Sequence, residues 1–386
     1  MRHRALAIFL ALTALTTAAG AASAQTLTID AENRTITQAM RPLPLHVVGR
    51  VKIVPLASPL PTGVAYVHQW PGVYFEGVFR GDRVALKFDD AANEYRLRFD
   101  DHEPITLAQL GRVEVLVSGL GPGRHRARLE KVTESVDQIG AFDGFYVLAG
   151  QTDPAPPPRV RQIEFIGDSS MSGYGDRSPT RTCTREEVRL STDTQLAYPA
   201  LVARHFDADY QINAISGRGL VRNIQGLKPD SPLPRLYPYA VFDQPIAYDP
   251  VGWRPQIVVI KLTADFAGPY KPGESWNRQE DVAPHYVKAM IAFVDALSQR
   301  APDATVLIWW YDPAEMQEPA ASLVRNMQRQ IARGVQGKTR IDFLPMHDLG
   351  FESSGCDYHA SLADHRKTAE WLMSYLQSHP EYWRGK

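Results

Sequence analysis

Residues Arg161–Gly175 read RQIEFIGDSSMSGYG. Ile163, Phe165 and Ile166 form a short apolar run, the mark of a buried strand. The run stops abruptly at Gly167-Asp168-Ser169. A small residue just past a strand end presents its side chain at the rim of an open α/β sheet, where such folds bind ligands. Gly167 permits a sharp backbone reversal. Ser169 then lies exposed with backbone N–H groups close by, the setting of a serine nucleophile. Gly-Asp-Ser is equally the sequence of an Asx turn that caps a helix. What surrounds the stretch has to decide between the two.

Downstream, strand and helix patterns alternate. Tyr210–Ile215, Ile257–Leu262, Thr305–Trp309 and Ile341–Leu344 read as strands, the second nearly continuous in apolar residues, as expected for burial on both faces. Thr194–Phe206, Asp281–Gln299, Ala320–Arg333 and Leu362–Gln377 carry the helical period. This order implies a parallel sheet covered on both faces, an α/β domain over residues 161–386.

Upstream, Pro154-Ala155-Pro156-Pro157-Pro158 is a stiff, extended connector, marking a linker at 151–160. Before it, residues 25–150 read as strand throughout. Val64–Val67, Tyr74–Phe79, Val84–Phe88, Tyr95–Phe99, Val113–Val117 and His125–Leu129 are short and alternating, with turn signals between them. A β-sandwich or jelly roll is expected. Trp70, Tyr74, Phe75 and Tyr66 are candidates for a sugar platform or for sandwich core.

The chain of 386 residues is 44% hydrophobic and 22% charged, with a net charge of −1. These are values of an ordinary globular protein, with no basic excess to suggest nucleic acid. Arg2-His3-Arg4, the apolar Ala5–Thr16 and Ala22-Ser23-Ala24 have the form of a secretory signal peptide over residues 1–24, cleaved after Ala24. The apolar core is too short to span a bilayer. A secreted or periplasmic protein is expected, with no membrane partner after cleavage. The two cysteines, Cys183 and Cys356, permit one disulfide in that compartment.

The chemistry gathers at the ends of the elements. Ser169 follows the first strand of the α/β half. Ser216-Gly217-Arg218-Gly219 follows the second, where glycines can aim N–H groups at an oxyanion. Thr263-Ala264-Asp265 follows the third, and Gly355-Cys356-Asp357-Tyr358-His359 precedes the last helix. With Asp357 and His359 two apart, a curled loop lets the carboxylate orient the imidazole, and His359 can then take the proton of Ser169. His347, His365 and Asp364, with His359, match no standard metal spacing. No dinucleotide fingerprint or phosphate-cradling loop is present, and no cofactor is expected. Trp276, Trp309 and Trp310 are candidates for lining an acyl or sugar pocket.

In this order the blocks resemble those of the SGNH, or GDSL, hydrolases. More narrowly, IEFIGDSSMSGYGD, ISGRGLVRN and GCDYH are similar to blocks of the second carbohydrate-esterase family, the acetyl-xylan-esterase-like O-deacetylases. WPGVYFEGVFRGDRVAL and GPGRHRARLEKVTE resemble that family's N-terminal jelly roll. The resemblance covers nearly the whole chain after residue 24. It implies a flavodoxin-like three-layer α/β/α domain preceded by the all-β domain, and a serine esterase acting on acetylated carbohydrate. Ser169 would be the nucleophile, His359 the general base and acid, and Asp357 its orienting group. The N–H groups of Ser169 and Gly217 would form two parts of the oxyanion hole.

The family's third donor is an Asn side chain, and here Ala264 stands at that position. Losing one such donor costs on the order of 10²–10³ in rate. Asp265 cannot replace it while ionised and is expected to cap the following turn. A disulfide between Cys183 and Cys356 would tie the two catalytic loops together. Two alternatives remain open at this point. One is another ester hydrolase, such as a lipase or thioesterase. The other is a carbohydrate-binding protein with a degenerate hydrolase site.

Overall fold

The computed structural model describes residues 27–32, 35–56 and 63–384. The expected signal peptide, residues 1–24, lies outside the described residues.

The N-terminal half is a sandwich of two antiparallel sheets, one of seven strands and one of five. Alternating side chains meet in one aromatic core. Phe75, Phe79, Leu97 and Leu129 come from the five-stranded sheet, and Leu86, Phe88, Phe142 and Phe145 from the other. All six strands expected here form. The sequence pattern missed Gly140–Leu148, which pairs with Arg83–Asp90 along one edge and with Val64–His68 and Met40–Pro42 along the other. A bulge between Phe142 and Gly144 breaks its period-two alternation and hid it.

The C-terminal half is built on five parallel strands. In space the order is Ala208–Ala214, Arg161–Gly167, Ile257–Lys261, Thr305–Tyr311 and Arg340–Met346. In chain order this is 2-1-3-4-5, the flavodoxin-like arrangement. Val258 and Ile260 face helices Gln279–Arg300 and Ala320–Val335, while Ile257 and Val259 face helices Tyr198–His205 and Leu362–Ser378. That two-sided burial is why the third strand is apolar without a break. The helix expected from Thr194 starts only at Tyr198. Asp193 accepts the N–H groups of Gln195 and Leu196 and binds Arg96 of the sandwich, fixing a turn there instead.

The two halves interlock. Trp70 is not a sugar platform: it is fully buried, belongs to the α/β core, and donates its indole N–H to the Tyr239 carbonyl at 2.8 Å. Tyr74, Phe75 and Tyr66 are buried as well. Tyr74 donates its hydroxyl to Asp209 at 2.6 Å. Arg50 of the sandwich is 1% exposed, donates to Asn213 at 2.7 Å, and pairs with the fully buried Glu164 at 3.5 Å. Glu164 also receives Arg300 at 2.6 Å. Burial pushes the Glu164 carboxyl up, but Arg300, Arg50 and the donors Tyr237 and Trp253 outweigh it, so its pKa lies below the ordinary value.

Removing Arg50 leaves Glu164 paired with Arg300 but strips the Asn213 side-chain oxygen and the Tyr237 carbonyl of their buried donor, a cost of about 1–3 kcal/mol for each group left unsatisfied. Arg50→Ala is therefore expected to lower stability by about 3 kcal/mol in urea unfolding. A loss below about 1 kcal/mol would show that other groups satisfy those acceptors once Arg50 is gone.

Candidate active site

At the end of the first parallel strand, Gly167 sits in register with Ala214 on one side and Lys261 on the other. The chain leaves the sheet there and starts a short helix, Ser169–Ser172. Asp168 is its N-cap and accepts the N–H and hydroxyl of Ser170 at 3.1 and 2.9 Å. The cap and the half-buried serine are thus one device, since the Asx turn is what presents Ser169. Gly167 does not take left-handed backbone. It is needed for space: a Cβ there would lie 2.5 Å from Met171 Sδ and 2.8 Å from the Lys261 carbonyl oxygen.

His359 Nε2 lies 2.9 Å from Ser169 Oγ. Its Nδ1 lies 2.9 Å from the backbone carbonyl oxygen of Cys356. The carbonyl can only accept, so it holds the proton on Nδ1 and leaves Nε2 free to take the serine proton. The expected partner, Asp357, does not touch the imidazole. Asp357 and Tyr358 both take left-handed backbone, with φ of 50° and 63°. That turn folds the Cys356 carbonyl under the ring and swings the Asp357 carboxylate outward, where it accepts the Tyr174 hydroxyl at 2.9 Å. The Tyr174 ring packs on the imidazole with centroids 4.3 Å apart. Burial first, then the bond to Asp357, raise the Tyr174 pKa and keep it neutral.

The histidine loop is tied to the loop after Ser169. Cys183 and Cys356 are joined by a disulfide. Cys356 N–H donates to the Gly175 carbonyl at 3.2 Å, Asp357 N–H to the Arg181 carbonyl at 2.7 Å, and the Arg181 guanidinium to the Ser353 and Glu352 carbonyls at 2.9 and 2.7 Å. The approach is so close that a Cβ on Gly175 would lie 2.4 Å from Cys356 Cβ.

Gly217 has left-handed backbone, φ 73°, and its carbonyl accepts the Ile224 N–H at 2.8 Å. Its own N–H stands free among the described residues. Ser169 opens its helix, so its N–H has no partner within that helix. Ala264 shares the cleft lining with Ser169 and Gly217 and offers no side-chain donor. Asp265 does not cap its own turn. It is fully buried and accepts the N–H groups of Leu220, Val221 and Arg222 at 2.7, 2.7 and 2.8 Å. Burial raises its pKa to about 6 against the pull of those bonds.

These groups open into a cleft of about 950 Å³, lined also by Lys261, Trp310, Met316, Phe351 and Tyr358. Trp309 is in the core on the opposite face of the sheet, and Trp276 packs on His285. Past Tyr174, Ser216 and Gly217 a second groove of about 990 Å³ runs on to Ala91–Asn93 and Glu134–Gln138 of the sandwich. The remaining histidines considered as ligands do not gather on His359. His365 is buried and accepts the Tyr198 N–H at 3.3 Å, Asp364 completes the capping box of the last helix, and His347 binds Glu315 at 2.7 Å. Sequence reasoning missed Tyr174 and Glu134 at the site. Tyr174 lies inside the nucleophile stretch, and Glu134 is the last letter of GPGRHRARLEKVTE, so both were in view without a reason to single them out.

The carbohydrate esterase 2 N-terminal family matches residues 60–158, and the GDSL-like lipase/acylhydrolase family matches residues 165–380. The chain is 40% identical over 346 residues to an acetylxylan esterase/glucomannan deacetylase of Cellvibrio japonicus, covering 89% of this chain and 93% of that protein. It is 26% identical over 321 residues to the cellulase/esterase CelE of Acetivibrio thermocellus, covering 80% of this chain and 37% of that longer protein. A solved carbohydrate esterase, described as displaying divergent catalytic and non-catalytic binding functions at its active site, superposes with a TM-score of 0.79 at 39% identity. The match covers 89% of this chain and 100% of that one.

Two outcomes follow from the geometry of His359. Asp357→Asn is expected to lower kcat by less than about 10-fold, because the Nδ1 acceptor is a peptide carbonyl, whereas His359→Ala should cost at least about 10³-fold. Equal losses in steady-state assays would restore Asp357 as the orienting group. Native-state reduction of Cys183–Cys356 should lower kcat before the near-UV circular dichroism of the fold is lost. Full activity in reduced, folded protein would show that the loop holds without the bond.

Proposed function

Since the chain belongs to the GDSL-like lipase/acylhydrolase family and, through its N-terminal half, to carbohydrate esterase family 2, we propose that it removes O-acetyl groups from a polysaccharide through a Ser169–His359 pair. The observation that carries this reading is the 2.9 Å contact between Ser169 Oγ and His359 Nε2 at the floor of an open cleft. Ser169 Oγ attacks the acetyl carbonyl while His359 Nε2 takes its proton. The N–H groups of Ser169 and Gly217 receive the charge that develops on the carbonyl oxygen. His359 then returns the proton to the departing sugar oxygen, leaving acetyl on Ser169. Water repeats the sequence, releasing acetate and restoring the serine. The Cys356 carbonyl fixes the tautomer but carries no full charge, so it favours the imidazolium less than a carboxylate would.

The substrate class follows the Cellvibrio relative, which acts on acetylated xylan and glucomannan by its name. The groove past Gly217, with Asn93, Asp137, Gln138, Arg185 and Lys228 along it, suits a glycan chain better than a fatty acyl chain. The signal-like residues 1–24 and the disulfide favour a secreted or periplasmic setting. Ala264 favours a second reading, in which the cleft retains acetylated glycan with little turnover.

Ser169→Ala should abolish hydrolysis of acetylated xylan, by at least about 10³-fold in kcat, without changing Tm. Retained turnover would remove Ser169 as nucleophile, and faster cleavage of long acyl esters than of acetyl esters would favour a lipase. Ala264→Asn restores a donor that acts only on charge formed in the transition state. It should raise kcat by about 10- to 10³-fold with KM little changed. A flat kcat in a folded variant would mean that another group already serves there.

A further inference from the structure

We propose that Glu134, a residue of the β-sandwich, is a positioning residue for the oxyanion hole, its carboxylate bridging the two peptide segments that carry the Ser169 and Gly217 N–H groups. The inference rests on the roles of those N–H groups given above. Glu134 Oε1 accepts the Ser216 N–H at 2.6 Å, one peptide before Gly217. Oε2 accepts the Ser216 hydroxyl at 2.5 Å and the Ser172 hydroxyl at 3.1 Å. Ser172 is buried in the helix that Ser169 opens, and its Oγ lies 3.3 Å from both the Ser169 carbonyl oxygen and Ser216 Oγ. One carboxylate therefore holds both donors at a fixed separation.

The other ties of the Ser216 turn are local to the α/β half. Ile215 N–H donates to the Gly167 carbonyl at 3.2 Å, Arg218 N–H to the Ile215 carbonyl at 3.1 Å, and Ile224 N–H to the Gly217 carbonyl at 2.8 Å. They pin the ends of the turn. Glu134 pins the peptide between them and couples it to the nucleophile helix. Alanine at position 264 adds no side-chain donor to the two backbone N–H groups, so their placement carries more of the stabilisation.

A carboxylate near a forming oxyanion also repels it. That cost separates shape from charge. Burial raises the Glu134 pKa, and the Ser216 and Ser172 donors and the nearby Lys131 ammonium oppose that shift. If Glu134 acts by position, glutamine, which keeps length and acceptor oxygen, substitutes for it. Alanine and the shorter aspartate do not, because neither spans the two segments.

The test measures kcat, KM and Tm for Glu134→Gln, Glu134→Asp and Glu134→Ala in the full chain, with a soluble acetyl ester as substrate. Arg159→Ala is the interface control. Arg159 binds Glu76 and Asp209 across the domains, away from the cleft. Glu134→Gln is expected within about threefold of wild-type kcat. Glu134→Asp and Glu134→Ala should lose about 10- to 100-fold in kcat with KM changed less than about twofold, as for a small misplacement of catalytic groups. The control should lose Tm and keep kcat. If the alanine variant does not fold, the aspartate variant carries the comparison. Wild-type kcat in Glu134→Asp, a Gln variant as slow as the Asp variant, or losses that only track Tm would overturn the proposal. Ser169→Ala is assayed alongside. If it stays active, the reading of the site has failed instead.

Discussion

The constraint on which the active site depends is the hydrogen bond from His359 Nδ1 to the Cys356 carbonyl. A side-chain acceptor can be aimed by its own rotamer. A peptide carbonyl can be aimed only by the path of the backbone, so the orientation of the His359 imidazole becomes a property of the whole 355–359 loop. That loop takes two consecutive left-handed residues without glycine, Asp357 and Tyr358, a conformation that persists only where the surroundings impose it. The surroundings are the disulfide, the close pass of Gly175, the Arg181 bonds and the Tyr174–Asp357 contact. The first and last sequence blocks thus form one mechanical unit, although more than 180 residues separate Ser169 from His359.

Much of this was legible in the residues. The parallel sheet, the strand-end serine and the glycine turn after the second strand follow from periodicity and from where small residues interrupt it. The role of Asp357 was misread for a definite reason. Asp-x-His spacing says that a carboxylate is near the imidazole in sequence, but the sign of φ at position 357 decides which way it points, and no residue type announced a left-handed aspartate. Asp265 was misread in the same manner. It reaches across to three N–H groups of the 220–222 segment, a long-range bond that local capping rules do not consider. Trp70 reads as sugar platform or sandwich core and is neither, because the apolar surface it fills belongs to the other half of the chain.

Charge is distributed with similar economy. Glu164 is enclosed with Arg50 on one side and Arg300 on the other, so a single buried anion is shared by a cation from each half. Buried clusters of this kind add little net stability over apolar packing, but they penalise any arrangement that separates the partners. They fix how the sandwich sits on the sheet, and hence where its loops meet the Ser216 turn.

The burial of Arg50 and Trp70 against the second half has a consequence for biogenesis. The sandwich precedes its partner in the chain, and chains of this size generally fold domain by domain. Until Glu164, Asn213 and Tyr239 are in place, a folded sandwich displays an indole and a guanidinium without their final partners. The early folded half is therefore adhesive by construction. The interval before the α/β half docks is a window in which a chaperone, or a neighbouring chain, competes for the surface that this half later covers.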